Sequence, residues 1–176
     1  MSHHAPENSI ETQVLDGQAL AQKIRGELAG EVEALVALGH RPPCLAVVLV
    51  GDDPASRSYI KGKQRACGRI GMDSIERLLP ATTSEAELLD LIDELNEDDG
   101  IDGILVQLPL PEPISAARVA AAIDPTKDAD ALHPITAGRL LAGTAELISC
   151  TPLGICLLYT SPSPRDQRGS RMPSSA

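Results

Sequence analysis

Six consecutive apolar residues, Leu45-Ala46-Val47-Val48-Leu49-Val50, end at Gly51 and constrain everything around them. A run this short and continuous, β-branched in part, reads as a strand buried on both faces, because a half-buried strand would alternate apolar with polar. A second such run, Gly103-Ile104-Leu105-Val106-Gln107-Leu108, stops at Pro109, and a weaker strand covers Ser74 to Leu79. Strands of this kind need cover on both sides, and the intervening segments have helical spacing.

Asp16 is an N-cap candidate, followed by Leu20, Ile24, Leu28, Val32, Leu35 and Leu38 at spacings of three and four, with Gly39 closing the pattern. Asp52-Asp53-Pro54 starts a second helix, with proline in its first turn, that runs to about Ile70 and stops at Gly71. Ser84-Glu85-Ala86-Glu87 is a capping box opening a helix with Leu88, Leu91, Ile92 and Leu95 on one face, broken by Asp98-Asp99-Gly100. A short Ala-rich helix from Ser115 to Ile123 precedes Asp124-Pro125. Strand and helix alternate with no hairpin signal. The expected class is α/β: three layers, αβα, with a mostly parallel sheet. In such sheets ligands bind beyond the carboxyl ends of the strands, here Gly51-Asp52-Asp53 and Gln107-Leu108-Pro109.

At 176 residues the chain has room for one ordinary domain, and with no Trp or Phe and two Tyr its core must be aliphatic. The 15 basic and 25 acidic residues leave a net charge of −10, which disfavours nucleic acid and anionic membrane surfaces as partners. No apolar run approaches the roughly 20 residues of a membrane span, and the polar start has no signal-peptide stretch, so a cytoplasmic protein is expected. Cys44, Cys67, Cys150 and Cys156 form no CxxC pair and do not cluster with histidines, so buried thiols are expected rather than a metal site or disulfides. Residues 1–13 read as disordered. From about 157 the composition turns to Pro, Ser and Arg, and 157–176 read as a disordered or non-native tail, leaving a domain over 14–156.

Few residues suit chemistry. Tyr59 and Lys63 share one helix face near a strand's carboxyl end. A tyrosine there can stack on a flat ligand, and a lysine beside it can exchange protons; a solvated basic face, with Arg57, Lys61, Arg65 and Arg69 nearby, is the plainer alternative. Gln107 interrupts an apolar strand. It either ties down the Pro109-Leu110-Pro111 loop or orients Lys63 as a neutral partner. Lys127-Asp128-Ala129-Asp130 is either a solvated turn or a carboxylate site for the paired N–H donors of a heterocycle. His133, before Pro134, reads as structural. No GxGxxG follows a strand and no GxxxxGK[ST] is present, so neither a dinucleotide nor a P-loop fingerprint is legible. Gly51-Asp52-Asp53-Pro54 has too little glycine and too much negative charge to cradle phosphate.

These motifs occur in one order: Val47–Ser56, Ser58-Tyr59-Ile60-Lys61-Gly62-Lys63, Asp102–Pro111, Lys127-Asp128-Ala129-Asp130 and Cys150-Thr151-Pro152-Leu153-Gly154. Over roughly residues 14–156 the chain resembles the bifunctional methylenetetrahydrofolate dehydrogenase/methenyltetrahydrofolate cyclohydrolase family. The resemblance implies oxidation of 5,10-methylenetetrahydrofolate with NADP and hydrolysis of the methenyl cation to 10-formyltetrahydrofolate. By resemblance Lys63 is the catalytic acid/base, Tyr59 stacks on the folate and helps place Lys63, Gln107 hydrogen-bonds Lys63, Asp128 grips the pterin, and Leu108 and Pro109 line the substrate. The family carries glycine where Ala131 stands; a positive φ there would strain the loop. The family's second half, a Rossmann domain holding NADP and the homodimer surface, has no counterpart in the motifs found, and no metal is implied. The expectation is the folate half of such an enzyme. The alternatives are a folate-binding module without turnover and an unstable structural fragment.

Overall fold

The computed structural model describes residues 16–159, with side chains to residue 156; the expected disordered start and all but the first residues of the expected tail lie outside the described residues. Three parallel strands, β1 (Cys44–Val50), β2 (Asp73–Leu79) and β3 (Gly103–Val106), form a sheet in the order β2-β1-β3. The central place falls to the most apolar run, as burial on both faces requires: Ala46 to Leu49 are at most 1% exposed. The register sets Val47 between Glu76 and Leu105.

The crossovers are helical. α1 (Gly17–Ala37) is capped by the Asp16 carboxylate on the Ala19 N–H, and α2 (Pro54–Ile70) by Asp53 on the Ser56 N–H, with Gly71 closing α2 at φ 81°. α3 (Glu85–Glu97) begins with the reciprocal Ser84–Glu87 box. α4 (Ala116–Ala122) is capped by Ser115. α5 (Pro134–Leu141) follows His133, whose Nδ1 accepts from the Ile135 N–H at 3.0 Å. α6 (Cys150–Tyr159) carries helix three residues past the expected domain end at 156.

One face of the sheet is covered by α3 and α4, whose Leu88, Ile92, Leu95 and Val119 pack on Ala46, Val48, Ile104 and Val106. The other is thinner: Ile60 of α2 packs on Val47, Leu49 and Leu105, and α1 rests on α2 rather than on the sheet. Val32 is consequently the one buried residue of α1, and Leu28, Leu35 and Val36 stay more than a third exposed despite their helical spacing. This is the three-layer α/β arrangement expected.

Three expectations change. The third strand ends at Val106 rather than Leu108: the Gln107 N–H still bonds the Val48 carbonyl at 2.8 Å, but Pro109 has no N–H to extend the ladder. The Lys127–Asp130 segment is no solvated turn; it runs beside β3, with Ile104 N–H to Lys127 O at 2.7 Å and Ala129 N–H to Ile104 O at 3.3 Å. Cys44 and Cys67 are buried thiols pushed up by that burial, whereas Cys150 and Cys156 are exposed because they lie on α6, which has no buried residue among its described side chains. Among the described residues no helix is long and apolar enough to cross a membrane.

Candidate functional site

The carboxyl ends of β1 and β3 and the first turns of α2 converge on one region. α2 begins where it does because Asp53 satisfies an orphan N–H of its first turn and Pro54 needs no such partner. That start places Tyr59 and Lys63 one turn apart along an open groove with Ser58, Gly62 and Ala66. Tyr59 is 68% exposed, an unusual position for an aromatic ring unless something covers it. The Lys63 ammonium donates to Gln107 Oε1 at 3.4 Å, and the Gln107 amide nitrogen donates to the Leu108 carbonyl at 2.8 Å. Gln107 thus bonds the backbone of Leu108 with one end of its amide and meets the lysine with the other. Leu108 and Pro109 are exposed at the mouth, joined by a cis peptide bond.

Along the outer edge of β3 lies a small cleft, walled by Ile104, Val106, Val119 and Ile123 and reached by Leu108 and Asp130. Asp128 belongs to its wall but is only 3% exposed, and both of its oxygens are engaged within the chain. Oδ1 accepts from the Leu132 N–H at 3.1 Å; Oδ2 accepts from the His133 N–H at 2.8 Å and the Thr136 hydroxyl at 2.9 Å.

The other carboxyl group of the motif, Asp130, lines the same cleft, and the sequence reading passed over it. Burial pushes the Asp130 carboxyl above the usual carboxylate range, the charge of Lys63 pulls it back, and Asp128 adds to the rise. No local signal separates the two aspartates of Lys127-Asp128-Ala129-Asp130; only the donors gathered from α5 do. Next to Asp130, Ala131 has φ 55°, the positive value that its place in the motif raised as a question.

A dinucleotide finds no seat among these residues. Gly51 has φ 89°, but Asp52 and Asp53 follow it, and Asp53 already occupies the N-terminal donors of α2 where a pyrophosphate would bind. Bonding to Ser56 holds the Asp53 carboxyl below the usual range, so it stays ionised there.

Comparison with known proteins bears on this arrangement directly. The family model described as tetrahydrofolate dehydrogenase/cyclohydrolase, catalytic domain, matches residues 15–130. Bifunctional protein FolD 1 of Hydrogenovibrio crunogenus is 49% identical over 146 residues, covering 83% of this chain and 51% of that protein. Bifunctional protein FolD 1 of Rhizorhabdus wittichii is 54% identical over 145 residues, covering 82% and 49%. Among solved structures, the bifunctional FolD enzyme of Campylobacter jejuni superposes with a TM-score of 0.79 at 44% identity, covering 83% of this chain and 52% of that one. A Trypanosoma brucei enzyme solved with NADP cofactor and an inhibitor gives 0.78 at 31% identity, covering 84% and 50%. The chain thus spans about half the length of the relatives it matches. On the match over residues 15–130 and this shared fold, the chain belongs to the tetrahydrofolate dehydrogenase/cyclohydrolase family, within its catalytic domain.

Proposed function

We propose that residues 14–156 form a folate-binding catalytic domain in which Lys63 moves protons at the one-carbon unit of a tetrahydrofolate. The observation that carries this reading is the Lys63–Gln107 pair at the strand ends, with an uncovered Tyr59 one turn away. The reaction it suits is hydrolysis of 5,10-methenyltetrahydrofolate to 10-formyltetrahydrofolate. Water adds to the methenyl carbon as Lys63 takes its proton. The carbon–nitrogen bond to N5 then breaks, N5 receives a proton from the Lys63 ammonium, and the hydroxyl loses its own to solvent as the formyl carbonyl forms. Gln107 orients the amine without adding a negative charge that would hold its proton.

Tyr59 stacks on the substrate and Leu108 and Pro109 border it. For the carboxyl group that meets the pterin we take Asp130 in place of Asp128, since the oxygens of Asp128 are engaged by α5. A group held partly out of water in the cleft gains most from a ligand with paired N–H donors. For the family's oxidation of the methylene form, NADP supplies the hydride acceptor. The described residues do not fit it, and we assign them no part in that step. The place proposed for the whole enzyme is the cytoplasm, in one-carbon metabolism, as a homodimer built through its other half.

The test is hydrolysis of 5,10-methenyltetrahydrofolate by the 176-residue chain, with binding of a tetrahydrofolate analogue measured alongside. Lys63→Ala should keep binding and lose about 10²–10⁴-fold in hydrolysis, the usual contribution of a positioned acid/base. Full hydrolysis by Lys63→Ala would remove the lysine from the mechanism. The poor fit of a dinucleotide favours a second reading, a folate-binding module without turnover. Tight binding with no hydrolysis by the parent chain would select it, and failure to bind any folate would sink both.

A further inference from the structure

Lys127 is a lysine that the proposed chemistry leaves unused. Its ammonium donates to three carbonyls at the C-terminal end of α3: Leu95 at 3.1 Å, Asn96 at 2.7 Å and Asp98 at 2.9 Å. A helix end leaves these acceptors without intrahelical partners and concentrates negative dipole there, so a cation is well placed. Asn96 joins the same junction, donating to the Ala122 carbonyl and accepting from the Asp124 N–H, both at 2.8 Å. One residue after Lys127, the buried Asp128 carboxylate gathers the Leu132 and His133 N–H groups and the Thr136 hydroxyl at the opening of α5. Between these two anchors the backbone bonds Ile104 of β3. The segment is held on three sides, and two residues beyond Asp128 comes Asp130.

We propose that Lys127 and Asp128, with Thr136, are positioning residues that hold the Asp130 carboxyl in the cleft beside β3. The motif then divides its labour: its first two side chains point into α3 and α5, and its last meets the site. The proposal rests on the functional reading only in naming Asp130 as the group that meets substrate; the geometry stands without a ligand. A clamp that merely stabilised the fold would affect unfolding and leave the surroundings of Asp130 alone.

The experiment is a carboxyl-carbon NMR titration of Asp130 in the full chain, its resonance assigned with Asp130→Asn. In the parent the midpoint should lie above the ordinary carboxylate value, and Lys63→Met should raise it further, because Lys63 and Asp128 are the charges that act on it. Thr136→Val, which removes the hydroxyl donor at nearly constant size, should bring the midpoint down toward the ordinary value and shrink the response to Lys63→Met. Thr136→Ser should preserve both. Lys127→Met should reproduce the valine result from the other end; should it not fold, the Thr136 pair decides alone. Loss of stability with an unchanged midpoint and an unchanged response to Lys63→Met would overturn the proposal, as would equal shifts in the serine and valine variants. No folate enters the measurement, so a chain that binds no folate would sink the functional reading and leave this result standing.

Discussion

Ala131 offers a test whose sign alone is informative. At φ 55° it is the one non-glycine residue with positive φ among the described residues, and it links Asp130 to α5. There an L-residue's Cβ crowds the carbonyl, at a cost of roughly 1–2 kcal/mol relative to glycine. Ala131→Gly removes that strain. Two effects oppose the gain. Glycine's freer unfolded chain costs about 0.4–1 kcal/mol. Loss of a half-buried methyl costs about 0.4 kcal/mol, half of the ~0.8 for a fully buried carbon. With mid-range values the variant is stabilised by about 0.4 kcal/mol. At an ordinary negative φ the same substitution would destabilise by roughly 0.5–1 kcal/mol. Urea unfolding followed by circular dichroism reads the difference: with a slope near 2 kcal/mol per molar, the midpoint rises by about 0.2 M. Ala131→Val, β-branched and poorly suited to this region, should move it the opposite way and further. A midpoint that falls for glycine, with unchanged slope, would refute the strain argument.

Two further outcomes follow from the packing and electrostatics. Ile60 is fully buried and is the residue of α2 that fills the thinner face against Val47, Leu49 and Leu105, so Ile60→Ala should lose about 2–5 kcal/mol in the same assay; a loss below 1 kcal/mol would mean that α2 collapses onto the sheet without it. Asp102 receives the Arg41 guanidinium at 2.6 Å and the Cys44 N–H at 2.7 Å. Arg41, ahead of that N–H, holds its carboxyl below the usual range. A depressed carboxylate contributes stability that is complete above its unfolded value and is lost as pH falls through its folded value. Asp102→Asn should therefore be less stable than the parent at neutral pH, and the two should converge in acid; a gap that persists below both values would assign the effect to packing instead.

Much of the fold was legible because its signals are local. The β1 run, the Asp53-Pro54 start, the Ser84–Glu87 box and Gly71 each act within a few residues, and each element appeared within about two residues of its expected position. α5 was missed, although His133-Pro134 carries a cap and an N1 proline. The exposed side of α1 was also missed, since helical spacing records a face and not what covers it. Within the site, the pairing of Lys63 with Gln107 could be anticipated because both stand where parallel strands end.

The choice between Asp128 and Asp130 had no such local mark. The two residues have identical side chains, two positions apart in a single loop, and sequence offers no reason to prefer either. Their difference comes from donors brought in by α5, from the lysine anchored on α3, and from a strand edge that holds the backbone between them. The amino-acid order by itself determined which segments coil, which extend and which end of the sheet carries the chemistry, since those depend on neighbours along the chain. Which carboxyl group is spent on holding the loop, and which is left to line the cleft, was decided only by tertiary structure, because burial and hydrogen-bond partners are properties of groups distant in sequence.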